Sequence, residues 1–156
     1  MQGRTGADFG LLFAQALNMY VEHLHRELGE RGFRDLRPTF GLPLRALQER
    51  PRTLTELARG LGVSKQAAAK IVAELEARSL IAREPSPDDG RATLLRLSAR
   101  GRLLVTAAIE IGNAVERDLA RELGEGAAAH IRSGLERLAY DPPWDEAAPA
   151  RAGRVW

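Results

Sequence analysis

At 156 residues, with 44% hydrophobic content and no cysteine, the chain has the size of one domain with extensions, and disulfides, thiol redox chemistry and Cys-ligated zinc are excluded. No apolar run approaches the ~18 residues of a membrane helix. The start, Met1 to Gly10, lacks the charged-then-apolar order of a secretory leader, so a cytoplasmic protein with no membrane partner is expected. The net charge of +2 is unevenly spread: residues 52–102 hold ten Lys or Arg against six acids, a local +4, while 103–156 stand at −3.

From Asp8 to about Gly32, apolar residues recur at Phe9, Leu12, Phe13, Ala16, Leu17, Tyr20, Val21, Leu24 and Leu28, the spacing of an amphipathic helix. A less regular helix is expected over Thr39 to Gln48. Pro43 inside it removes a backbone donor and crowds the preceding turn, so this helix should start late or bend. After the Arg50-Pro51-Arg52 break, Thr53 or Thr55 can cap a helix running to about Gly60. Gly62 makes a turn, and Ser64 caps a further helix to about Arg78. Leu80 to Pro85 and Ala92 to Leu97 read as two strands joined by a polar loop over Ser86 to Gly90. Ser98 caps a long helix with apolar positions Leu104, Ala108, Ile111, Val115 and Leu119. Gly124 and Gly126 bracket a break before a last helix carrying Ala127, Ile131, Leu135 and Leu138. The tail over 141–156 is rich in Pro, Ala and charge and is expected to be poorly ordered.

The most informative stretch is Leu54 to Gly101. Ala58 is small where two helices must cross, Gly62 can take a positive φ, and Leu57, Leu61 and Val63 fill the space between the helices. On the helix after Ser64, the residues Ala68, Ile71, Val72 and Leu75 share one face and should pack inward. The opposite face carries Ser64, Lys65, Gln66, Ala69, Lys70 and Ala73. A helix offered in this way over a tight turn fits the major groove of DNA. There Gln66 can pair with adenine, Lys65 or Lys70 can reach guanine or phosphate, and Ala69 can touch a thymine methyl. The basic hairpin beside it can reach the minor groove or the phosphates.

From about Phe9 to Tyr140 the chain resembles the MarR family of winged helix-turn-helix regulators. The most specific similarity lies in Asp88 to Gly101, where Asp89, Arg91, Leu97, Ser98 and Gly101 match an Asp-x-Arg followed by an apolar strand and L-[ST]-x-x-G. The resemblance implies that Arg91 sits near a wing tip in or beside the minor groove, with Asp89 holding it; a hairpin-stabilising ion pair is the alternative role. Ser79 stands where the family usually has glycine. The implied fold is mainly α, a winged helix-turn-helix with a two-stranded β-wing hairpin flanked by N- and C-terminal dimerisation helices. The domain would span 8–140, with a DNA-binding core over 52–102 and dimerisation helices over 8–32 and 99–140.

The expected partners are a pseudo-palindromic double-stranded DNA operator, a second copy of the chain, and a small aromatic or phenolic ligand. The candidate DNA contacts are Thr55, Ser64, Lys65, Gln66, Ala69, Lys70, Arg83, Asp89 and Arg91. The candidate ligand residues are Phe13, Tyr20, His23 and Phe40, although aromatics at helical spacing more often serve a core. His23 and His25 point to different faces of their helix, which does not suit chelation of one ion, and His130 is distant. No metal or cofactor is expected, and no P-loop, nucleophile elbow or tight carboxylate cluster argues for an enzyme. The expected function is a homodimeric transcriptional repressor relieved by a small molecule. The alternative is a ligand-binding or protein-interaction module on the same fold without operator binding.

Overall fold

The computed structural model describes residues 6–87 and 92–141. It divides into two compact units, Met1–Pro38 and Thr39–Trp156. The first unit carries helix α1, Gly6–Glu30. This helix stops as α-helices with a left-handed terminal glycine stop. Gly32 takes φ +88°, the Phe33 N–H returns to the Leu28 carbonyl at 2.9 Å and the Gly32 N–H to Gly29 at 3.1 Å. Leu28 and Phe33, brought together by that motif, are both buried.

A short 3-10 turn, Pro38–Phe40, starts at the last residue of the first unit and leads into α2, Gly41–Glu49, of the second. The helix thus starts two residues later than the sequence pattern suggested. Pro43 lies in its first turn, where a missing N–H costs nothing because it would have no intrahelical partner. Then follow α3 (Leu54–Leu61), α4 (Lys65–Ala77), strands β2 (Ile81–Pro85) and β3 (Thr93–Leu97), α5 (Ala99–Leu123) and α6 (Glu125–Tyr140). The hairpin is joined by a third strand that the sequence did not announce. The two residues Arg52–Thr53 form β1, which pairs antiparallel with β3 as Arg52↔Leu95 and Thr53↔Leu94, giving the order β1-β3-β2. Two residues are too few for any alternation to register. Arg52 is buried there, yet satisfied: its Nε donates to the Ala46 carbonyl at 3.1 Å and its Nη2 to Glu49 Oε2 at 2.9 Å.

The core of this unit joins Phe40, Leu44 and Leu47 of the α2 region with Leu57, Val72, Leu75, Leu80, Leu95, Leu97 and Leu104. On α5, Leu104 and Ile111 are buried as expected, joined by Val105 and Ala107, while Ala108, Val115 and Leu119 are half-buried. Glu116 and Arg132 pair between α5 and α6. Among the described residues no helix is long and apolar enough to cross a membrane.

The end of α4 repeats the α1 motif with a different residue. The Leu80 N–H returns to the Leu75 carbonyl at 2.9 Å, the Ser79 N–H to Glu76 at 2.8 Å, and Ser79 itself is left-handed at φ +56°. The left-handed region costs an L-residue roughly 1–2 kcal/mol, partly offset by the extra freedom glycine has in the unfolded chain. Ser79→Gly should therefore stabilise the protein by about 0.5–1 kcal/mol, a rise of about 2 °C in thermal melting. An unchanged or lower melting temperature would show that the strain is relieved elsewhere.

Candidate nucleic-acid interface

The interface is assembled from the start of α3, the outer face of α4 and the base of the β2–β3 hairpin. A capping box anchors α3. Thr53 Oγ1 accepts the Glu56 N–H at 3.2 Å, and Glu56 Oε2 accepts the Thr53 N–H at 2.7 Å. These bonds, the backbone one foremost, hold the Glu56 carboxyl below its ordinary range. The turn to α4 is made by Gly62 at φ +66°, with the Val63 N–H returning to the Ala58 carbonyl at 3.1 Å. Ser64 Oγ accepts the Ala67 N–H at 3.1 Å and caps α4. The Ser64 side chain is thus committed to the helix start that it was also expected to share with DNA.

The faces of α4 divide as the sequence predicted. Ala68, Val72 and Leu75 have no exposed surface and Ile71 is half-buried, while Lys65, Gln66, Lys70 and Ala73 are exposed and Ala69 is half-buried. Short side chains at 69 and 73 leave Gln66 and Lys70 standing clear of the rod. Beside them an open groove of about 340 Å³ runs between the starts of α3 and α4 and the hairpin base, lined by Thr53, Leu54, Thr55, Lys65, Arg83, Ala92, Thr93 and Leu95. The fold thus brings Thr55, Lys65 and Arg83, which span 29 positions of sequence, to one depression.

Arg83 is not a free cation. Its Nε and Nη2 donate to Glu76 Oε1 and Oε2 at 2.7 and 3.1 Å, and these bonds raise its pKa further. On the other face of the hairpin Arg96 donates to Glu84 at 2.6 Å. Sequence reading missed Glu76 because no periodicity relates a helix residue to a strand residue across a turn. Asp89 and Arg91 lie outside the described residues. Of the candidate ligand residues, Phe13 and Tyr20 are exposed on α1, and His23 is half-buried with Arg26 Nη2 at 2.8 Å from its Nδ1. Partial burial pushes the Tyr20 phenol above its ordinary pKa. Phe40 is 2% exposed, with the Arg78 guanidinium 5.2 Å above its ring, and it serves the core of the second unit.

Known proteins share this arrangement. The MarR family model matches residues 44–92, the stretch from α2 to the hairpin loop. The structure of a probable transcriptional regulator from Pseudomonas aeruginosa is 30% identical and superposes with a TM-score of 0.62, over 83% of this chain and 96% of that one. The chain belongs to the MarR family. A MarR-family transcriptional regulator from Rhodococcus sp. RHA1 has the same fold at 22% identity, with a TM-score of 0.64 over 90% of this chain and 99% of that one. So does a mutant of S. aureus MepR bound to an oligodeoxyribonucleotide, at 22% identity and a TM-score of 0.59 over 83% and 94%. No curated protein matches the chain by sequence. Within the family frame the three-stranded sheet and the helices around it form a winged helix, with β2 and β3 as the wing.

Proposed function

We propose that this MarR-family chain is a homodimeric, sequence-specific double-stranded DNA-binding regulator acting in the cytoplasm, and that it represses by occupying a pseudo-palindromic operator. The observation that carries the reading is the outer face of α4. A helix rigidly held by Ala68, Val72 and Leu75 presents Gln66, Ala69, Lys70 and Ala73 outward, with Thr55 and Lys65 on the adjoining groove. The small residues let the helix approach base edges closely, and the cations meet phosphate. A mutant of MepR bound to an oligodeoxyribonucleotide shares the fold, which supports DNA as the partner. Asp89 and Arg91 of the wing loop complete the proposed contact set.

Dimerisation is proposed through α1 and through α5 with α6, over 8–32 and 99–140. In the first unit Phe9, Leu11, Leu17 and Met19 are each more than half exposed; in the second, Leu103, Leu123, Ile131 and Leu135 are exposed. Apolar surface of this extent calls for a partner. A two-fold pair would set two α4 helices about 34 Å apart, one turn of duplex. Relief by a small aromatic or phenolic ligand, with Phe13, Tyr20 and His23 of α1 as its candidate contacts, requires a ligand that binds one dimer geometry more tightly than the other.

Selection of bound sequences from a random duplex pool tests the proposal. Recovery of a two-fold-symmetric motif with affinity falling steeply with salt is the expected result. Flat, weak binding without sequence preference would overturn it in favour of a ligand-binding or protein-interaction module. Within the recovered motif, Gln66→Ala should erase about 1–3 kcal/mol of preference at one position per half-site. An identical specificity profile would remove Gln66 from base contact.

A further inference from the structure

The β2 strand alternates about the wing. Ile81 and Arg83 share one face, paired with Leu97 and Leu95, and Ile81, Leu95 and Leu97 are all buried. Arg83 therefore projects from the inner face of the wing at the point where the apolar core ends. There it meets Glu76 of α4. At 100° per residue Glu76 lies only about 20° from Lys65 around the helix, on the flank next to the reading face. Two parallel N–H···O bonds fix both the distance and the rotation of strand against helix, which a single contact would not.

We infer that Glu76 is a positioning residue for DNA recognition: by gripping Arg83 it sets where the wing stands when α4 lies in the major groove. The inference rests on the function proposed above. Stability does not account for the pair, because its side chains are 46% and 31% exposed and exposed ion pairs add little. Phosphate attraction does not account for it either, because the two charges cancel. An acid on the flank of α4 repels a duplex unless a cation covers it, and Arg83 covers it. The pair thus leaves the electrostatics of approach nearly neutral and supplies geometry.

The test uses the full chain, a duplex recovered by selection and a scrambled duplex of the same composition. Glu76→Gln frees the Arg83 cation. It should tighten binding to scrambled duplex and steepen the logarithmic salt dependence by about 0.9. Arg83→Gln uncovers the carboxylate and should weaken binding to both duplexes. The double variant restores charge balance, so scrambled binding should return to within about twofold of wild type while the preference for selected duplex stays about tenfold lower. Melting temperatures of all three should stay within about 2 °C of wild type. A double variant with wild-type preference, or single-variant losses of preference that simply multiply, would overturn the positioning role. A wild-type chain without preference for any duplex would overturn the function beneath it as well, and that outcome is visible before any variant is made.

Discussion

Gly101→Ala should be among the most damaging single substitutions in the chain. A Cβ at Gly101 would stand 1.9 Å from the Leu80 carbonyl oxygen and 3.0 Å from its carbon. Neither partner is free to move. Leu80 is almost fully buried and closes the α4 terminal motif, and its carbonyl accepts the Ser98 N–H at 3.0 Å. Ser98 Oγ in turn accepts the Gly101 N–H at 2.9 Å and donates to the Ser79 carbonyl at 2.6 Å. The end of α4, the end of β3 and the start of α5 are therefore tied within one knot, and a methyl group at 101 must pry it open. Overpacking against fixed backbone predicts a loss of about 3 kcal/mol or more, and a fall in melting temperature of about 6–12 °C. Gly126→Ala, at a helical position where nothing beyond the local helix backbone lies within 4 Å of the added carbon, should leave stability unchanged or raise it. Urea unfolding of both variants checks the pair. A Gly101→Ala protein as stable as wild type would mean that α5 can slide on Leu80. The geometry also gives a physical reason for the glycine in the L-[ST]-x-x-G signature: the serine caps α5 and the glycine lets the helix touch the preceding turn.

The second large effect concerns assembly. Ile131 and Leu135 lie one turn apart on α6, 41% and 47% exposed, and Ala128 is the buried residue of that helix among those described. Replacing both with glutamate should leave the fold of a single chain intact, since neither supports its core. If α6 forms part of the subunit interface, the double variant should sediment as a monomer at micromolar concentration with an unchanged far-ultraviolet circular dichroism spectrum. Operator affinity should then fall on the order of 100-fold or more, because the two half-sites are no longer held together. A variant that remains dimeric would exclude α6 from the interface, and one that stays monomeric with undiminished operator affinity would separate assembly from recognition.

Both expectations depend on different kinds of information in the chain. The helices, the caps at Thr53, Ser64 and Ser98, the Gly62 turn and the two wing strands were legible from local pattern. Each is governed by residues a few positions apart: an apolar stripe every three or four residues, a hydroxyl accepting an N–H three residues on, a glycine where φ must be positive. The division of α4 into a buried and an exposed face followed from the same periodicity, and so did the exposure of Gln66 and Lys70.

What local pattern does not carry is the angle at which elements meet. Strand β1 exists because Arg52 and Thr53 happen to lie beside β3, more than 40 residues away in sequence. The burial of Arg52 depends on carbonyl and carboxylate groups supplied by α2, and Phe40 lies in a core rather than an open site, with Arg78 of a later helix over its ring. Arg83, expected among the DNA contacts, pairs with Glu76 across the turn at the left-handed Ser79. Sequence alone thus determined the helices, the two wing strands, the caps and which face of α4 is polar, because those properties are local. Only the tertiary structure decided which charges are spent on one another and which glycine is indispensable, because both depend on atoms that come together when helix, turn and strand pack.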